Sequence, residues 1–187
     1  AAVSLGVTSI LEVSSKSENE LGVKLSAFNL NIITKKNKQV FSVEAAFQGS
    51  KVFERGGPYV DLLKGSSKDA KRDIRLKESG NLSGFRFFGQ DFPLKPRTYF
   101  YDWLYINALN KDEFLREEVL NYHGFTDIEF NPKKSINCQA YSVALFVSLE
   151  KAGLLKDALS TPDDFLEVVK DVYSKKIDSH DVQAVLI

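Results

Sequence analysis

The chain has 187 residues, 43% of them hydrophobic and 27% charged, with 25 Lys and Arg balanced by 25 Asp and Glu. This composition excludes a disordered polymer, and zero formal charge excludes a protein that coats nucleic acid or anionic membrane by net charge alone. One cysteine, Cys138, excludes an intrachain disulfide framework, and with only two histidines it argues against a structural zinc site and points to a reducing, cytoplasmic compartment.

No Pro/Gly/Ser linker divides the chain, and its length suits a single domain over residues 1–187, since one core commonly holds about 100–200 residues. No apolar run approaches the roughly 20 residues that span a bilayer, so no membrane partner is expected. The start Ala1-Ala2-Val3-Ser4 lacks a secretory pattern and the chain contains no methionine, which fits a trimmed chain missing a native N-terminal segment. Val7–Val13 and Leu25–Ile33 are rich in β-branched and apolar residues and predict short strands. The polar turn Lys35-Lys36-Asn37-Lys38 leads to Val40-Phe41 and predicts a hairpin. Ser42 can cap a helix running to about Arg55, stopped by Gly56-Gly57-Pro58. Ser66 or Ser67 opens a basic helix ending near Ser79-Gly80. Further helices are expected over Thr98–Asn110, Asp112–Tyr122 and Ser135–Ala152. Thr161-Pro162 places proline at the first position of a helix running to about Tyr173. The fold class is α+β, a predominantly helical domain with a few short strands.

Charge is uneven beneath the neutral total. Residues 51–97 carry a surplus of five positive charges and residues 150–187 a surplus of three negative ones. The first surplus would suit a phosphate-bearing ligand, although a solvated face would look the same. Within the predicted helix 42–55, Glu44, Gln48, Lys51 and Arg55 fall on one stripe, opposite an apolar arc of Val43, Ala46, Phe47 and Phe53. The rise separates Glu44 from Lys51 by about 10.5 Å, a span their side chains can close around a sugar-sized group. A carboxylate can move a proton or activate water, and a desolvated lysine can stabilise anions or attack a masked aldehyde. An ordinary solvent face with helical ion pairs has the same spacing.

The spacing Ser42-x-Glu44-x-x-Phe47-Gln48-x-x-Lys51-x-Phe53 resembles the first signature of the NADAR (YbiA-like) family. Other segments resemble that family in the right order across residues 25–149. Leu25-Ser26-Ala27-Phe28-Asn29 stands where a Phe-Ser-Asn-Phe-like segment is usual. Asp69-Ala70-Lys71-Arg72-Asp73-Ile74-Arg75 resembles a basic helix, with Ile74 in place of glycine. Asp102-Trp103 resembles an Asp-Trp helix start. Phe125-Thr126-Asp127-Ile128-Glu129-Phe130 resembles an acidic stretch whose tryptophan is replaced, and Ser135-Ile136-Asn137 a Gly-x-Asn segment. The runs 54–61, 100–105 and 125–140 are similar to the branch of antitoxins associated with DarT-type toxins, which ADP-ribosylate DNA.

The resemblance implies a hydrolase that cleaves the N-glycosidic bond between ADP-ribose and the amino group of guanine in DNA. It implies Glu44, Lys51 and Asp127 as catalytic residues, with neither metal nor cofactor. Glu44 would transfer a proton or orient a ribose hydroxyl, Lys51 would stabilise the opened ribose or form a Schiff base, and Asp127 would stabilise cationic charge or position water. Gln48, Lys71, Arg72, Arg75, Trp103 and Asn137 would contact substrate. The implied partners are ADP-ribosylated DNA and a DarT-type toxin. Two alternatives stay open: hydrolysis of small ribosyl N-glycosides, and an antitoxin that neutralises its toxin by binding alone.

Nine aromatics between Phe85 and Tyr105 are expected to be mostly core, with Trp103 set apart as a base-stacking surface. Cys138 reads as a small buried residue, and His123 and His180 as structural or exposed. Gly56, Gly57 and Gly65 make no phosphate-loop pattern.

Overall fold

A computed structural model describes the backbone of residues 9–128 and 137–184, and side chains as far as Ser174. Contacts divide the chain into a larger unit, residues 1–147, and a smaller one, residues 148–187.

In the larger unit β1 (Ile10–Glu12) pairs in parallel with β7 (Gly124–Thr126), joining segments more than a hundred residues apart. Helix α1 (Glu20–Leu25) is capped by Asn19, whose side chain accepts from the Leu21 N–H. It takes the first residue of the strand expected over 25–33, which shrinks to β2 (Asn31–Ile33). The expected hairpin forms: β2 pairs antiparallel with β3 (Val40–Ser42), Ile32 opposite Phe41.

The helix expected from Ser42 to Arg55 is shorter than its sequence pattern. Helix α2 covers Val43–Gly49 and gives way at once to β4 (Lys51–Phe53). Ser50 ends it, its hydroxyl bonding the Ala46 carbonyl at 2.7 Å. Lys51-Val52-Phe53 then finds a ladder partner in β5 (Leu82–Phe87), so tertiary pairing overrides helical spacing. The hairpin of β5 with β6 (Gln90–Phe92) completes a three-stranded sheet that goes beyond the elements expected from sequence.

The basic helix also breaks. Helix α3 (Ser67–Arg72) stops at Asp73, whose backbone is extended (ψ 127°), and α4 (Arg75–Glu78) begins with Asp73 Oδ1 accepting the Arg75 N–H. A 3₁₀ turn, Val60–Lys64, packs on α2.

Helix α5 (Tyr99–Lys111) is buried around most of its circumference, as befits a helix apolar on every side. Phe100 stacks on Phe85 at 4.8 Å and packs on Phe92 at 4.7 Å, and Phe47 of α2 lies 5.3 Å from Phe85. Most of the nine aromatics are therefore core; Phe88, 65% exposed, is not. Helix α6 (Glu113–Val119) is capped by Asp112, and α7 (Gln139–Lys151) crosses the unit boundary. In the smaller unit α8 (Leu155–Ala158) packs on α9 (Pro162–Ala184), which continues well past Tyr173. Among the described residues no helix is long and apolar enough to cross a membrane.

Candidate functional site

Helix α2 is fixed at its first turn, and that turn carries Glu44. The Ser42 hydroxyl accepts the Ala45 N–H at 3.0 Å, while the Val43 and Glu44 N–H groups bond the Leu30 and Ala27 carbonyls. All three are amides that a helix start would otherwise leave unsatisfied. The Ser67 hydroxyl donates to this corner, lying 2.6 Å from Ser42 Oγ and 2.8 Å from the Phe28 carbonyl. That contact ties α3 to α2. Lys71, one turn beyond Ser67, accordingly reaches Glu44, with Nζ 3.8 Å from Oε1.

Glu44 is only 6% exposed, and Gln48 one turn later 7%. Gln48 Nε2 donates to Glu44 Oε1 at 2.9 Å, fixing the carboxylate. The amide oxygen of Gln48 is buried without a hydrogen-bond partner among the described residues. An unsatisfied buried acceptor is costly, so this oxygen is a ready contact for a ligand donor.

Lys51 enters from β4 and not from the helix that its spacing suggests. Its ammonium lies over the Phe47 ring, 5.0 Å from the centroid, and Lys71 lies 4.9 Å over Phe28. Burial lowers the Lys51 pKa from the ordinary 10.5; attraction to Glu44 opposes this, and repulsion from Lys71 adds to it. Gly57 sets the position of this strand. Its φ is +83°, and a Cβ there would stand 2.1 Å from the Lys51 carbonyl oxygen, so only glycine allows the approach.

Tyr101 closes another side. Its ring meets Phe47 edge-on at 5.2 Å, and burial first, then the nearby Tyr105, Glu44, Asp102 and Asp127, holds its phenol well above the usual pKa. The buried phenol of Tyr105 responds to Asp127 and Cys138 after burial itself. Gln139 links the same region: its Oε1 accepts the Ala27 N–H at 2.5 Å and its Nε2 donates to Asp127 Oδ2 at 3.4 Å. Asp102, 1% exposed, accepts from the Ser142 hydroxyl at 2.6 Å. Tyr101 and Gln139 are absent from the residues that the sequence points to. Tyr101 adjoins the Asp-Trp pair, but no spacing distinguishes it from its aromatic neighbours.

Glu44, Gln48, Lys51 and Lys71 thus gather at one place, and Asp127 shares the surroundings of Tyr101 with Glu44. The other expected residues have different surroundings. Trp103 packs on Phe92 at 5.0 Å and Phe87 at 6.4 Å, and its Nε1 has no hydrogen-bond partner among the described residues. Arg75 is committed to Asp61 (2.7 Å) and Asp73 (2.9 Å), with its guanidinium over Tyr59. Arg72 is exposed at the end of α3, and Asn137 is half-buried two residues before α7. Cys138 is half-buried, not fully buried, and His123 meets the Ser9 hydroxyl at 2.9 Å. Glu129, Phe130, Ser135, Ile136 and the His180 side chain lie outside the described residues. Among the described residues no three His, Cys, Asp or Glu side chains group as a metal would require.

No curated protein matches the chain significantly. A family model described as the DarT1-associated NADAR antitoxin matches residues 1–179. Since that match spans nearly the whole chain, the chain belongs to the DarT1-associated NADAR antitoxins.

Proposed function

We propose that this antitoxin is an N-glycosidic hydrolase that removes ADP-ribose from guanine in DNA and so reverses the mark of a DarT-type toxin. The observation that carries this reading is Lys51: a half-buried amine of lowered pKa, attracted by the buried carboxylate of Glu44. Lowering the pKa raises the neutral, nucleophilic fraction of the amine at physiological pH.

In this reading the ring carbon–oxygen bond at the anomeric carbon breaks, the ring oxygen takes up the proton that the amino nitrogen loses in forming an imine, and the Lys51 amine adds to that carbon. The carbon–nitrogen bond to guanine breaks as Glu44 delivers a proton to the leaving amino group. Water then adds to the lysine imine, the lysine–carbon bond breaks, and free ADP-ribose departs. No electrons are exchanged and guanine is restored. Gln48 holds Glu44 in place, and Asp127 offsets the positive charge of the iminium. Lys71, 55% exposed beside Glu44, serves the pyrophosphate, with Arg72 and Asn137 as further ligand contacts. Arg75 has no place in this proposal, since two carboxylates already neutralise it.

The test is to incubate the protein with guanine-ADP-ribosylated oligonucleotide and identify the products by mass spectrometry. Free ADP-ribose and unmodified DNA are expected. Intact modified DNA after prolonged incubation with folded protein would overturn the reading.

A further inference from the structure

A concavity of about 470 Å³ draws on residues flanking both ends of α2 and is lined in part by Phe41, Ser50, Lys64, Arg86, Phe87 and Phe88. Its lining contains two cations and no carboxylate. Arg86 is held by Asp91 at 2.6 Å, whereas Lys64 is exposed on the 3₁₀ turn. Phe88 stands at the tip of the β5–β6 hairpin, 65% exposed, with φ +47°, and is followed by Gly89 at φ +84°. Two consecutive positive φ values are the turn chemistry of Asn-Gly, and a bulky aromatic at the first position carries a conformational cost. The core does not require that cost, because the ring projects to solvent. Phe87 at 4.6 Å and Phe41 at 6.1 Å pack against it, and the residue stays 65% exposed.

We infer that this groove stacks an unpaired nucleobase of the DNA strand on Phe88, with Lys64 meeting the adjoining phosphate. Aromatic rings bind unpaired bases with little regard to sequence, and a single lysine serves as a point contact to phosphate. The inference rests on the proposed DNA substrate and identifies where its flanking strand runs. Ser50, in the groove, lies six residues from Glu44, or about 9 Å along a helix axis, the length of two or three stacked nucleotides.

The experiment measures fluorescence anisotropy of an unmodified single-stranded oligonucleotide and of labelled free ADP-ribose, alongside hydrolysis of the modified oligonucleotide. Phe88→Asn suits the turn and removes the ring, and Phe88→Tyr restores an aromatic. With Phe88→Asn, oligonucleotide affinity should fall about tenfold and recover with Phe88→Tyr, while ADP-ribose affinity holds. Lys64→Ala should flatten the salt dependence of oligonucleotide binding. Unchanged oligonucleotide affinity in Phe88→Asn overturns the inference, even if hydrolysis proceeds. An equal loss for ADP-ribose assigns the groove to that ligand and also overturns it. Loss of toxin co-purification with DNA affinity intact assigns the groove to protein docking and overturns the inference in the same way. If wild type binds the oligonucleotide through Phe88 but releases no ADP-ribose, the groove stands and the hydrolase reading fails.

Discussion

Lys71 and Arg75 are four residues apart, and on an unbroken helix they would share a face. The chain instead breaks at Asp73, and the two cations meet opposite fates. Lys71 joins a buried carboxylate that already has Lys51 nearby, so positive groups outnumber the one acid. Arg75 joins two carboxylates, Asp61 and Asp73, whose pKa values it lowers by hydrogen bonding, and its own charge is fully answered. A cluster with unmatched charge and a half-buried amine of lowered pKa has capacity left for a ligand. A saturated, exposed cluster has only a loop to hold. The regional surplus of positive charge does not distinguish them; the partner ratio does.

The contrast between the clusters breaks most sharply at Lys51 and Glu44. Lys51→Ala and Glu44→Gln should each reduce ADP-ribose release by about 10²–10⁴-fold, the scale of a lost proton-transfer or nucleophilic group. Unfolding is excluded by matched far-ultraviolet circular dichroism. Borohydride added during turnover should trap an adduct on wild type and none on Lys51→Ala. Gln48→Ala should have a smaller effect, about tenfold, because Glu44 loses the amide that fixes its carboxylate. Turnover of Gln48→Ala equal to wild type would remove Gln48 from the positioning of Glu44.

The lowered pKa of Lys51 has a signed consequence for pH. The amine must be neutral to attack, so turnover should rise with pH and level off below the ordinary lysine value of 10.5. Stability follows the same direction. Between the folded pKa and 10.5 the unfolded chain binds more protons, so stability rises with pH across that window. Lys51→Met should flatten this rise in a series of thermal melts. A rise of the same slope in Lys51→Met would place the responsible group elsewhere.

Local signals in the sequence are sufficient for capped helix starts and for the β2–β3 hairpin. Ser42 and Asp112 each accept an amide where an expected helix begins, and such signals act within a few residues. What depends on distant partners is hidden. Lys51 matches a helical stripe with Glu44 and Gln48, yet it pairs with Phe85 in a ladder that no local pattern could reveal. The carboxylate–lysine group survives this change of element because Ser50 ends the helix and returns the chain toward the same side. Tyr101 and Gln139 are invisible for a related reason: their contacts with Phe47, Ala27 and Asp127 reach across the chain instead of along one element. The Arg75 pairing is half legible, since Asp73 lies two residues away, whereas Asp61 reaches it only through the fold.

Arg75→Gln isolates the saturated cluster and should give the smallest effect. Turnover should stay near wild type, because no group around Glu44 is touched. The stability difference should instead depend on acid. Asp61 and Asp73 have folded pKa values below the ordinary 3.8, held there first by hydrogen bonds from Arg75. Carboxylates of lowered pKa stabilise the fold above 3.8, and that contribution is lost as pH falls through their folded values. Wild type should therefore melt slightly above Arg75→Gln at neutral pH, by a modest margin, since exposed pairs are weak. The two melting curves should converge in acid below pH 3.8, where the carboxylates take up protons. A gap that persists there would mean that the guanidinium acts by stacking on Tyr59, which no proton removes. A large loss of turnover at neutral pH would erase the contrast between the two clusters and return Arg75 to the binding site.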